Sequence, residues 1–235
     1  MIAFANLDIA FSRGATTSDA HEDKVIFPLL VSCRDIVEEV TFAIKEGFGR
    51  AALRATRTMY ECVVTARYLN LHPEKADDFL DQFHTEWAKV YQEIPSAYRD
   101  PNFEAEIGSH VPKYAQGRHI GMGDLRWSGS VVGEMAREAG ALAELHSLAF
   151  TLASAYIHPG AQFMLSGLSV DSDQIVHVGE KPQDAESAFA LRSAHDLLMN
   201  AVDLRLKYAP ALELSRLFDT CKADFERIWG YQAHI

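Results

Sequence analysis

Three pairs of side chains in this sequence have the types and spacing to do chemistry. Arg57 and Glu61 are separated by one helical turn, as are Ser154 and His158, and Arg67 precedes His72 in the run Arg-Tyr-Leu-Asn-Leu-His. A guanidinium one turn from a carboxylate forms a charge-assisted pair. On an exposed helix face such a pair contributes only about 0.3–0.5 kcal/mol. Arg50, Arg54, Arg57 and Arg67 fall within one stretch of an otherwise acidic chain, and such a set suits a phosphate or another anion. A serine beside a histidine can serve as an activated nucleophile. No GxSxG elbow accompanies the pair. His158 followed by Pro159 also fits a helix end, where an imidazole meets the last carbonyls.

The elements that carry these residues read as helices. Val25, Ile26, Leu29, Leu30, Cys33, Val37, Val40 and Ile44 recur at helical spacing, which predicts a helix over 19–45, kinked at or starting from Pro28. Glu46-Gly47-Phe48-Gly49 ends it. A second helix over 50–71 turns Leu53, Thr56, Tyr60, Val63 and Val64 to one face, with Arg50, Arg54, Arg57 and Glu61 on an adjoining stripe. A third over 74–94 points Phe79, Leu80, Phe83, Trp87, Val90 and Tyr91 inward. The period fails over 95–127, apart from room for a short helix at 100–114, and so long an irregular stretch is commonly functional. Helical pattern resumes at 130–137 and 141–157. A small hairpin is expected at 169–178 around Asp171-Ser172-Asp173. Helices over 184–208 and 211–229 complete the chain. The result is an all-α single domain of five or six long helices, with 1–18 as an extension and 19–229 as the bundle.

Composition narrows the function. The chain has 235 residues, 48% of them hydrophobic and 23% charged, ordinary for a globular domain, and a net charge of -11. That charge disfavours nucleic acid and anionic lipid. Cys33, Cys62 and Cys221 are widely spaced and form no CxxC, so they read as buried thiols of a cytoplasmic protein. The N-terminus lacks a basic region and is not read as a signal peptide. Residues 147–170 contain no Asp, Glu, Lys or Arg, but Pro159 and two glycines interrupt them, so no membrane span is expected. Ten histidines are present without an HExxH motif. A metal site would have to be assembled across helices, with His110, Arg118, His119 and Asp124 of the irregular segment as contributors. No metal or cofactor is assigned.

Three stretches taken together resemble a known family. They are Leu53 through Glu61, then Trp127-Ser128-Gly129, then Phe150 through Pro159. They resemble a family of uncharacterised bacterial helical proteins, catalogued as a domain of unknown function, that joins an Arg-x-x-x-Glu helix to a Ser-x-x-x-His-Pro helix end. The resemblance spans roughly residues 29–208. It implies an all-helical cytoplasmic protein, assigns no reaction, and picks out Arg57, Glu61, Ser154 and His158 as one polar cluster. The spacing of Arg67 and His72 is similar to that of HEPN ribonucleases, helical-bundle dimers in which the arginine would steady an RNA phosphate and the histidine move a proton. In this chain Tyr68 replaces the usual polar residue after the arginine. The leading expectation is a binding or regulatory domain for a small anionic ligand or a protein partner, with a homodimer compatible with its apolar helix faces. The alternatives are a HEPN-like ribonuclease acting on RNA and a metal-dependent hydrolase.

Overall fold

The computed structural model describes residues 21–115, 127–140, 142–157, 167–178, 183–208 and 212–230. Helix α1 (His21–Lys45) runs through Pro28 without ending there. The turn that closes it follows from Gly47, whose φ of +79° is open to glycine at little cost. Gly47 N donates to Ile44 O at 3.1 Å and Phe48 N to Ala43 O at 2.7 Å, the paired bonds of a glycine-terminated helix end. The chain reverses into α2 (Gly49–Leu71), which packs along α1.

Helix α2 is the central element. Leu53, Thr56, Tyr60, Val63 and Val64, the face expected to be inward, are all buried. So are Met59, Ala66, Tyr68 and Leu69, because α2 has neighbours on several sides. These are α1, α8 (Asp184–Tyr208), α5 (Val132–Glu138) and a helical rod over 142–157. The rod consists of α6 (Leu142–Leu145), a π-helical stretch (His146–Leu152) and α7 (Ala153–Ile157). Helix α9 (Leu212–Trp229) packs on α8.

The start of α2 meets the start of α8 at close range. Gln183 Oε1 accepts a hydrogen bond from Arg50 N at 2.9 Å, satisfying an N-terminal amide of α2 that has no helical partner. Arg50 pairs with Glu186 at 3.5 Å. A Cβ at Gly49 would lie 2.5 Å from Gln183 O and 2.6 Å from Ser187 Oγ.

Two expectations need correction. Leu80 and Val90 of α3 (Ala76–Glu93) are 44% and 51% exposed, not inward. The reason is that α3 packs chiefly on α4 (Pro101–Ala115), so part of its apolar stripe stays uncovered. Phe83 and Trp87 lie outside the described side chains. Within the segment expected to be irregular, the short helix allowed at 100–114 is present as α4, and Ser96–Tyr98 adds a single 3-10 turn. Asp100 Oδ1 accepts from Asn102 N at 2.9 Å, and Pro101 occupies the first turn, where its missing N–H costs nothing. Together with α5 and the divided rod, α4 gives more helical segments than the five or six expected. The hairpin is present: β1 (Leu168–Val170) pairs antiparallel with β2 (Val176–Val178), with Ser169 opposite His177. Asp171 closes the turn, accepting from Asp173 N and Ile175 N at 2.9 Å each. His177 Nε2 bonds Asp171 Oδ2 at 2.8 Å and is the largest reason the Asp171 carboxyl titrates below its ordinary range. The fold is an all-α single-domain bundle with this hairpin inserted. No described helix is long and apolar enough to cross a membrane. The extension at 1–18 lies outside the described residues.

Gly49→Ala should destabilise the protein by about 1–3 kcal/mol, because the added methyl meets backbone that cannot move aside. Urea denaturation of both proteins checks this. An unchanged midpoint would mean that the α2–α8 approach is looser than described.

Candidate functional site

The polar residues of α2 each find a place on a neighbouring element. Arg54 Nε donates to Tyr156 O at 3.0 Å, tying the end of α7 to α2. Arg57 reaches Glu61 at 3.3 Å, as the one-turn spacing requires, and its guanidinium lies over the Phe150 ring, 4.5 Å from the centroid. Arg57 Nε is buried without a hydrogen-bond partner. One turn along, the Tyr60 hydroxyl donates to Leu142 O at 3.2 Å and stands 3.1 Å from His146 Nδ1. Burial pushes the Tyr60 hydroxyl well above its ordinary titration range, so it keeps its proton. That single proton goes to the carbonyl, which leaves His146 to donate from Nδ1 to the phenol oxygen. The unprotonated Nε2 then faces Gly133, where an added Cβ would stand 3.1 Å from it.

Beside His146 lies a cavity of about 430 Å³, walled by Val132, Gly133 and Arg137 of α5 and by Ala143, His146 and Phe150 of the rod. Phe150 joins the parts together. It stacks on the His146 ring at 4.9 Å and 17°, carries Arg57 over its ring, and lines the cavity. Burial is the main cause, and the Arg137 charge a lesser one, that hold His146 below its ordinary pKa. The imidazole is therefore neutral at neutral pH, an acceptor rather than a fixed charge.

Of the expected quartet, the described residues include Arg57, Glu61 and Ser154. Arg57 and Glu61 are together. Ser154 Oγ donates to Phe150 O at 2.5 Å, one turn back on its own rod, a bond that occupies its proton. His158 lies outside the described residues. The imidazole that meets the seam is His146. Its signal in the sequence was its spacing, one turn before Phe150 on the apolar rod. Arg67 and His72 are drawn to different neighbours. Arg67 bonds Asp203 at 2.8 Å and Asn200 O at 2.9 Å, both on α8. His72 Nε2 bonds Glu138 of α5 at 3.0 Å, and its ring packs on Tyr68 at 4.4 Å.

Trp127-Ser128-Gly129 serves as an anchor. The Trp127 ring meets Tyr68 and Phe79 edge-on, at 5.6 and 5.0 Å, and Ser128 Oγ donates to Ser130 O at 2.8 Å. Among the described residues no group of three or more His, Cys, Asp or Glu is arranged to hold a metal. Arg118, His119 and Asp124, and the His110 side chain, lie outside that description.

A family model described as a family of unknown function, DUF5677, matches residues 23–175, from α1 to the hairpin turn. The match covers both halves of the seam and leaves out α8. Neither the curated proteins nor the solved structures contain a match.

Tyr60→Phe should cost about 1–3 kcal/mol, since it strips a buried carbonyl and an imidazole nitrogen of one shared partner. Chemical denaturation measures it; a loss within error would mean that the hydroxyl carries no weight in the packing. The histidines give a pH signature. His146 and His195 are both held below 6.5 in the fold, each chiefly by burial. The unfolded chain therefore takes up protons first, so stability is full above about pH 6.5 and falls as pH drops below it. His146→Gln should reduce that dependence. A midpoint for His146 at or above 6.5 in an NMR titration would contradict the environment described.

Proposed function

We propose that this chain, which belongs to the DUF5677 family of unknown function, is a binding domain that takes a small anionic ligand at the seam between α2 and the 142–157 rod. The observation that carries the reading is Arg57. Its Nε is buried and unbonded, as is that of Arg67, but its guanidinium is held over Phe150 and its ion-pair partner among the described residues is the half-exposed Glu61 of its own helix rather than a carboxylate of α8. A buried donor without an acceptor is costly, and an anion would satisfy it. Arg50, Arg54 and Arg67 are already engaged with α8 and α7. The cavity past Phe150 has room for a small molecule and adds Arg137, together with His146, whose Nε2 becomes a donor to an anion once the ring is protonated.

The net charge of -11 favours a small ligand over a polyanion, because long-range repulsion grows with the ligand's own charge. His146 adds a pH term: as it gains a proton below pH 6.5, the cavity becomes more positive and the anion binds more tightly. A ligand that binds the folded state alone raises the melting temperature by mass action, by about 5–10 °C at a hundred times its Kd.

Thermal melts with inorganic phosphate, a nucleoside monophosphate and a dicarboxylate test the reading. At least one should raise the melting temperature of the wild type, more at pH 6 than at pH 8. Arg57→Gln should remove the shift while the protein stays folded. If none of the three stabilises the wild type at tens of millimolar, or if Arg57→Gln responds as the wild type does, the seam is a packing joint.

A further inference from the structure

Helices α1 and α2 form an antiparallel pair about the turn at Gly47. Both rise about 1.5 Å per residue, so residues equally far from the turn lie at the same height. Cys33 and Cys62 are equally far from it to within one residue. Cys33 lies on the buried α1 stripe of Ile26, Leu30, Val37 and Val40, and Cys62 on the α2 stripe of Ala55, Met59, Ala66 and Leu69, so the packing of the two helices sets the thiols against each other. Cys33 is fully buried, while Cys62 is partly open and packs at the edge of the core. Cys221 lies apart from them on α9.

The two thiols are not equivalent. The hydrogen bond from Cys33 holds the Cys62 thiol below its ordinary pKa, and that same contact together with burial pushes the Cys33 thiol up. The thiolate therefore gathers on the sulfur that solvent can reach, and the proton stays on the one enclosed by the core. This is the division of labour between an attacking and a resolving cysteine.

We infer that Cys33 and Cys62 are a redox-active dithiol, oxidised by hydroperoxides to an intramolecular disulfide that ties α1 to α2. The Cys62 thiolate attacks the peroxide O–O bond, takes one oxygen as a sulfenic acid, and releases water or the corresponding alcohol. The Cys33 thiol then attacks the Cys62 sulfur. The S–S bond forms, and the sulfenic oxygen leaves as water. Two thiols lose two electrons and two protons, and one peroxide is reduced. Two cysteines at one height on packed antiparallel helices are placed for side-chain rotation to bring their sulfurs to the roughly 2.05 Å of a disulfide. The inference does not depend on the ligand reading, since neither sulfur lines the cavity.

The test is intact-mass and peptide analysis of the full chain, reduced and then exposed to hydrogen peroxide. After denaturation, the reduced protein should take up three equivalents of N-ethylmaleimide and the oxidised protein one, with a loss of about 2 Da before labelling. Tryptic digestion should link Val25–Arg34 to Thr58–Arg67, with Cys221 alkylated. With Cys33→Ser, oxidation should stop at a sulfenic acid that dimedone traps on Cys62. Cys62→Ser should give no adduct on Cys33. Circular dichroism verifies that both variants fold, and the wild-type result requires neither. The inference is overturned if all three thiols stay alkylatable, if Cys221 joins the bridge, if the bond forms only between chains, or if Cys62 passes to sulfinic acid while Cys33 remains reduced.

Discussion

Helix α2 is covered by neighbours over most of its length, and the polar side chains it turns inward must be met inside that enclosure. Thr56 illustrates the constraint at its simplest. It is fully buried, and its hydroxyl donates to Ala52 O on its own helix at 2.9 Å. The longer side chains cannot satisfy themselves and so determine how neighbouring elements sit. Arg50 meets Glu186 at the start of α8, Arg67 meets Asp203 near its end, and Arg54 meets the last turn of α7. These bonds fix the heights at which α8 and the rod pack, while the apolar face supplies most of the burial. Arg57 departs from the pattern, with a ring beneath it and, among the described residues, an ion pair only to Glu61 of its own helix.

The legible part of this arrangement was whatever depends on period and local chemistry. The buried face of α2, the Arg57–Glu61 pair, the glycine stop after α1 and the turn at Asp171 follow from spacing and residue type, because each is settled within a few residues. The fate of α3 was not legible. Its pattern is amphipathic, but exposure at Leu80 and Val90 depends on what packs against it, and that is set by segments far away in sequence. The distinction between Arg57 and Arg67 was equally hidden. Both are arginines on one helix, each with a buried Nε left over, yet Arg67 meets a carboxylate that α8 brings close while Arg57 has Glu61 of its own helix and the Phe150 ring.

The same reasoning explains why His146 was not legible as an imidazole of the seam. Counting by fours along 141–157 assumes one continuous α-helix. The π-helical stretch at His146–Leu152 breaks that assumption. A π-bulge acts as an inserted residue, turning everything beyond it by about 100° relative to a regular helix. Residues before and after it cannot share a face by four-residue counting. The seam is accordingly built from the bulge itself, where His146 and Phe150 stack on each other and face Tyr60 and Arg57. Ser154, past the bulge, turns its hydroxyl to its own rod.

That geometry also determines the chemistry left at the seam. An imidazole with both nitrogens bonded within the core would be a packing element. Here Tyr60 has one proton and two acceptors within reach, and it spends that proton on Leu142 O. His146 must then supply its own proton to the phenol oxygen, and its second nitrogen is left as an acceptor against the small residue Gly133. Any side chain at position 133 would crowd that nitrogen and close the approach from the cavity. A glycine wall, a neutral imidazole and an under-bonded guanidinium on one ring are more than a helix joint requires. A joint needs only the apolar contacts and the Arg54 bond, both of which the rod already has.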